Sequence, residues 1–180
     1  AYEFAFITTT DYSTGSSSVI YLDGSYATER NVQSICSDAV ARYYGGLIYV
    51  VNRYGCDNIQ VLDPSDGFST IRQFSVGSGS DPHDIAFLSD TKAYVSRGNE
   101  TELLIVNPST GAHLGTVDLS GFSDADGIPE MDCMILIGDL LFVSIQRLDR
   151  NNYWLPAPPS YLAVIDTRAD TLFDCDTAEP

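Results

Sequence analysis

Three aspartates recur along the 180-residue chain: Asp38, Asp84 and Asp132, spaced by 46 and 48 residues, each just before a nearly continuous apolar run. His83 stands beside the second. Carboxylates repeated at one place of a repeat and gathered round a common axis can hold a hard cation such as calcium, or pass protons as acid and base. The same pattern has a structural use, because an aspartate ahead of a strand ties down the turn by accepting backbone N–H groups. Residue types alone leave both uses open. No cofactor other than calcium is suggested. There is no glycine-rich phosphate loop, no G-x-S-x-G elbow and no H-E-x-x-H pair, so no nucleophile has visible support.

A second group lies in RLDRNNYWLPAPPS, residues 147–160. Arg147, Arg150, Tyr153 and Trp154 combine cations with large flat rings, which suits stacking on a sugar or peptide or anchoring a partner protein. With His83 they form the expected ligand-binding set. The alternative is that both rings fold back over apolar surface. DADGIPE, residues 124–130, is acidic but lacks the spacing of an EF-hand loop, so it reads as a solvated turn.

Charge narrows the partners. With 25 acidic and 9 basic residues, the net charge of -16 repels phosphate backbones and anionic lipid, so no nucleic acid is expected. No run of 18 apolar residues exists, hence no membrane span. The chain opens on AYEFAFITTT, which has no basic segment followed by an apolar one. An export signal is expected to lie outside this sequence.

The elements that must position these residues form a repeat. GLIYVVNRYGCDNIQVLDPSDGFSTIRQFSVG, from Gly46, aligns with TKAYVSRGNETELLIVNPSTGAHLGTVDLSG, from Thr91. The frame extends outward, with Phe6-Ile7 ahead of Tyr49-Val50 by 43 residues and Phe142-Val143 behind Tyr94-Val95 by 48. A period in the forties with several short strands per repeat is the signature of propeller blades. The strand after each recurring aspartate is expected innermost and apolar on both faces. The second carries the Tyr-Val or Phe-Val pair. The third is apolar (VIYL, IQVL, LLIV, LAVI) and ends in an Asx-Pro-Ser-x-Gly turn, and the fourth is more polar. No helical period is evident.

IYVVN, NIQVLDP and DPHDIAF resemble the YVTN-type repeat propellers of bacterial surface and periplasmic proteins. The resemblance runs from residue 2 to about 175. It implies an all-β β-propeller of about four four-stranded blades, at roughly 2–35, 36–76, 77–120 and 121–176, within one segment, 1–180. The first blade lacks its inner strand. The segment is therefore expected to belong to a seven- or eight-bladed propeller whose remaining blades lie outside this chain; the alternative is a stand-alone four-bladed disc. Family members include binders, structural surface proteins and lactonase-like enzymes.

Placing the cysteines on these strands puts Cys36, ahead of an inner strand, and Cys56, in a loop of the same blade, within disulfide reach. Cys133 and Cys175 fall three strand spacings apart, roughly 14 Å, so Cys133 is expected to be a buried thiol. One disulfide suits an oxidising compartment: periplasm, cell surface or secretion. The expected function is a non-catalytic module of an exported bacterial protein, binding a protein, small molecule or carbohydrate at the channel face. The alternative is a lactonase-like or metal-dependent propeller hydrolase.

Overall fold

In the computed structural model, which describes residues 3–173, no α-helix occurs among the described residues, and the chain falls into two compact units, Ala1–Gly79 and Ser80–Pro180. The first unit holds two antiparallel sheets. One has three strands in the order β1 (Phe4–Thr10), β2 (Gly15–Tyr21) and β3 (Thr28–Ile35). The other has four, β4 (Val40–Tyr44), β5 (Leu47–Asn52), β6 (Asn58–Asp63) and β7 (Ser69–Ser75).

The second unit repeats the four-stranded plan twice. β8 (Pro82–Ser89), β9 (Lys92–Arg97), β10 (Glu102–Val106) and β11 (His113–Asp118) pair in sequence order. The next sheet is β12 (Met131–Ile137), β13 (Leu140–Ile145), β16 (Tyr161–Asp166) and β17 (Thr171–Leu172). Between β13 and β16 the chain leaves that sheet to form a two-stranded hairpin, β14 (Leu148–Asp149) and β15 (Leu155–Pro156). The fold is an all-β propeller type, as the repeat implied.

The expected turn chemistry is present. Asp63 Oδ1 accepts the Ser65 N–H at 2.8 Å, Pro64 opens a 3₁₀ turn and Gly67 closes it at φ 60°. In the next repeat Asn107 Oδ1 accepts from Ser109 at 2.9 Å, and Gly111 takes φ 78°. Asx oxygen, proline and left-handed glycine each meet a different backbone demand of one turn.

Each unit builds its core by the same rule. In the first, Phe6 and Val19 lie opposite each other on β1 and β2 and share a core with Ile48, Val50 and Leu62 of the next sheet. In the second, Tyr94 and Ile105 oppose each other on β9 and β10 and pack with Leu141, Val143, Ala163 and Ile165.

The inner strand of the last sheet departs from expectation. After buried Met131, β12 alternates between exposed and half-buried residues, so it is not apolar-packed on both faces. Cys133 shares the outward face with Ile135 and Ile137 and is exposed, not buried. Cys175 lies outside the described residues. The other expected pair is joined: Cys36 and Cys56 form a disulfide, their Cα atoms 6.5 Å apart.

Candidate ligand-binding site

Four loops of the second unit are tied together: the segment before β8, the β9–β10 connection, residues 121–131 and the β14–β15 hairpin. Glu130 is their centre. It is only 4% exposed, against the expectation of a solvated turn, because the chain after it needs an acceptor inside the loop. Its Oε2 accepts the Leu148 N–H at 2.9 Å, and its Oε1 accepts from Arg150 Nε at 2.9 Å. Burial pushes its carboxyl above the usual range, and nearby Asp126 adds to this, while the Leu148 amide and Arg150 pull the other way.

Asp126 shows the opposite balance. Burial disfavours its charge, but the Arg150 and Ile128 amides and the Asp124 side chain bond to it, and with the Arg150 charge they hold it below the usual carboxylate value. The Arg150 N–H reaches Asp126 Oδ2 at 2.8 Å, and Arg150 Nη2 donates to the Gly98 carbonyl at 2.6 Å. The guanidinium also lies over the Trp154 ring, 4.7 Å from its centroid. One arginine thus joins three loops and props the indole.

The hairpin that carries the rings turns through Tyr153 and Trp154, both at positive φ, 58° and 61°. Residues other than glycine, asparagine and aspartate are uncommon there. The result is display: Tyr153 is 91% exposed and Trp154 54%. Neither ring is folded back into the core. Arg147 is turned elsewhere. It donates to the Pro159 carbonyl at 2.9 Å and stacks on Tyr161, which also meets Phe122 edge-on.

His83 lies next to this assembly. Its Nδ1 is 2.9 Å from Asp132 Oδ1 and its Nε2 is 3.2 Å from Asp81 Oδ2. A Cβ built on Gly98 would stand 2.7 Å from His83 Nε2, so only glycine lets the β9–β10 loop pass the imidazole. Asp132 also accepts from the Gln146 side chain.

The recurring aspartates are not equivalent in register. Asp84 is buried opposite Ser96; its Oδ1 accepts the Ile85 N–H at 2.7 Å and its Oδ2 the Met134 N–H at 2.9 Å. Asp132 sits in a bulge between Met131 and Met134. Asp38 precedes β4 at φ 56°, 3.4 Å from an Arg53 nitrogen. Equal sequence spacing hides the bulges of β8 and β12. Asp84 and Asp132 therefore stitch β8 to β12 reciprocally, one through the Met134 amide and the other through His83. Among the described residues no group of three or more His, Cys, Asp or Glu is placed to hold a metal ion.

Glu130, Gly98 and the aromatic clefts of the first unit were missed in the sequence. Two open clefts of about 410 and 700 Å³ lie there, walled by Phe4, Phe6, Tyr43 and Ile48 in one and by Phe4, Tyr21, Tyr43 and Phe68 in the other. The alternation of Phe4 and Phe6 is their one sequence signal.

No protein-family model and no curated protein sequence matches the chain. Solved structures do. The chain is similar to hydrazine synthase from Kuenenia stuttgartiensis (16% identity, TM-score 0.64, 93% of this chain and 47% of that one). It is similar to the WD40 domain of Toxoplasma gondii coronin (10%, 0.63, 94% and 42%) and to the glutaminyl cyclase of Myxococcus xanthus (13%, 0.53, 95% and 75%). These neighbours are β-propeller proteins and define the class of fold. They include enzymes and a WD40 domain, so the fold does not choose between catalysis and binding. The chain spans 36% of the length of the dihydro-heme d1 dehydrogenase NirN and 47% of hydrazine synthase.

Proposed function

We propose that the chain is a non-catalytic binding module of an exported bacterial propeller of the YVTN-repeat kind, taking a carbohydrate, small molecule or protein partner on the loops of its second unit. The observation that carries the reading is the hairpin of residues 147–160: Tyr153 and Trp154 are held out to solvent on a left-handed backbone, and Arg150 is fixed beneath the indole by buried Glu130. Rigid aromatic rings on a braced loop lose little freedom on binding, which is how such surfaces gain affinity. Long loops held on rigid sheets are also where binding residues concentrate. The net charge of -16 repels phosphate-rich partners and supports neutral or basic ones. The Cys36–Cys56 disulfide supports an oxidising compartment.

Trp154 is the one tryptophan of the chain, so its fluorescence reports this loop alone. Titration with a panel of neutral oligosaccharides and basic peptides is expected to shift or quench that emission for one class. Trp154→Ala and Tyr153→Ala are expected to lose binding while melting as the parent does. A panel that leaves Trp154 emission unmoved, or binding that survives both substitutions, would overturn the reading.

A further inference from the structure

We infer that the larger aromatic cleft of the first unit is a binding site for a small organic cation, an ammonium ion carrying alkyl groups. The inference goes beyond the ligand-binding reading of the second unit and does not depend on it.

Strand pairing and one turn assemble the cleft. Phe4 and Tyr21 oppose each other at the ends of β1 and β2. Tyr43 stands near the end of β4 and is 68% exposed. Phe68 follows the Asp63–Gly67 turn and is only 2% exposed, held at φ 61°, a region that bulky residues rarely adopt. Its ring meets Phe4 edge to face, with centroids 5.3 Å apart. The four rings wall an open space of about 700 Å³, within the size range of small-molecule sites.

The polar groups select the ligand. Asp23 is the charged residue of the wall, and no described cationic side chain lines the cleft. Its Oδ1 accepts the Ser25 N–H at 2.9 Å and the Ser25 hydroxyl at 2.6 Å, while among the described residues nothing donates to Oδ2. The Ser25 hydroxyl, and then its amide, hold this carboxyl below the usual carboxylate range, so it is anionic at neutral pH. Three of the four side-chain hydroxyls of the wall already donate to carboxylates: Tyr21 to Glu29 at 2.9 Å, Ser25 to Asp23, and Ser65 to Asp63 at 2.7 Å.

A sugar needs donors as well as acceptors and finds few of them here. A metal ion needs several oxygen ligands, and this wall offers one carboxylate. What is left is a set of aromatic rings beside an unshared negative charge, the setting for cation–π attraction. A phenol that donates to a carboxylate, as Tyr21 does, has a more electron-rich ring, which strengthens that attraction. Alkyl groups suit the apolar walls, and an alkylated ammonium sheds water more readily than the compact, strongly hydrated ammonium of lysine. The net charge of -16 repels the phosphate that a lipid headgroup would bring, so the ion is a free solute.

The test uses the full chain with choline and its uncharged isostere neohexanol, in which tert-butyl replaces trimethylammonium. Saturation-transfer NMR and calorimetry follow binding. Choline is expected to bind, and neohexanol to bind about tenfold more weakly or not at all. Tyr43→Ala and Asp23→Asn are each expected to weaken choline binding about threefold or more, with Tm within about 2 °C of the parent, as surface substitutions leave it. Tyr43→Phe keeps the ring and is expected to bind choline as the parent does. Trp154→Ala is expected to leave choline binding unchanged, so failure of this site and failure of the second-unit reading are told apart. The inference is overturned by equal binding of choline and neohexanol, or by no saturation transfer to choline. It is also overturned if choline binding survives both Tyr43→Ala and Asp23→Asn, or is lost in Trp154→Ala.

Discussion

His83 and Asp132 meet across two sheets, Nδ1 to Oδ1 at 2.9 Å, with Asp81 3.2 Å from the other ring nitrogen. The imidazole is held at both ends. The β9–β10 loop runs against it, and Gly98 Cα is where a side chain has no room. Gly98→Ala is expected to push the ring out of this clamp and destabilise the fold by about 1–3 kcal/mol, the usual cost of overpacking. The cost is expected to shrink in a His83→Ala background, because the clash is then removed. Equal costs in the two backgrounds, measured by urea denaturation, would refute the assignment.

Arg150 is anchored by Glu130, Gly98 and the Trp154 ring. Arg150→Met is expected to cost about 3 kcal/mol, since it strands a buried carboxylate without its charge partner. Arg150→Lys is expected to recover little, because the donors of an ammonium radiate from one nitrogen, which cannot span Glu130 and the Gly98 carbonyl while presenting a flat face to the indole. Denaturant midpoints, with Trp154 emission as probe, separate lost stability from a loosened hairpin.

Much of the fold is legible in the sequence. Strand pairs such as Tyr94-Val95 and turns such as Asp63–Gly67 announce themselves because pattern and turn chemistry are local. Cys36 and Cys56 followed once the strands were placed. The unequal roles of Asp84 and Asp132 were not legible, because bulges at β8 and β12 break the correspondence between spacing and register. Glu130 was unreadable: an acidic loop sequence does not say which carboxylate an arginine 20 residues later will bury. Cys133 was misplaced because its burial depends on what covers the sheet, not on the strand itself.

The Cys36–Cys56 bridge closes a loop with a sequence separation of 20 residues in the first unit. Restricting the unfolded chain by a loop of that length is worth about 3 kcal/mol. Replacing both cysteines by alanine is expected to lower stability by that amount, with no change in Trp154 emission of the folded protein. An unchanged midpoint would show that the bridge contributes nothing.

Asp166 accepts from Arg168 Nε at 3.0 Å and from its Nη2 at 2.8 Å. The Arg168 side chain and amide lower its pKa from 3.8 to about 2. A folded pKa below the unfolded one adds stability above the unfolded value, and that stability is lost as pH falls through the folded one. Asp166→Asn is therefore expected to flatten the acid limb between about pH 4 and 2. Thermal melts across that window are the check.

Glu130 has the reverse sign. Burial is the largest influence on it and raises its pKa above the ordinary 4.5, so the folded protein holds this proton more tightly than the unfolded chain. Between the two pKa values the native state binds more protons, and stability falls as pH rises from about 4.5 through the raised value. Glu130→Gln removes the titration but keeps an acceptor for the Leu148 amide. The stability difference, parent minus variant, is expected to be most favourable to the parent at the acid end of this window and to decline toward neutral pH. Urea midpoints of both proteins at pH 4.5, 5.5, 6.5 and 7.5 decide it. A difference that stays constant with pH would mean that Glu130 keeps its unfolded-state pKa, and that Arg150 fully offsets its burial.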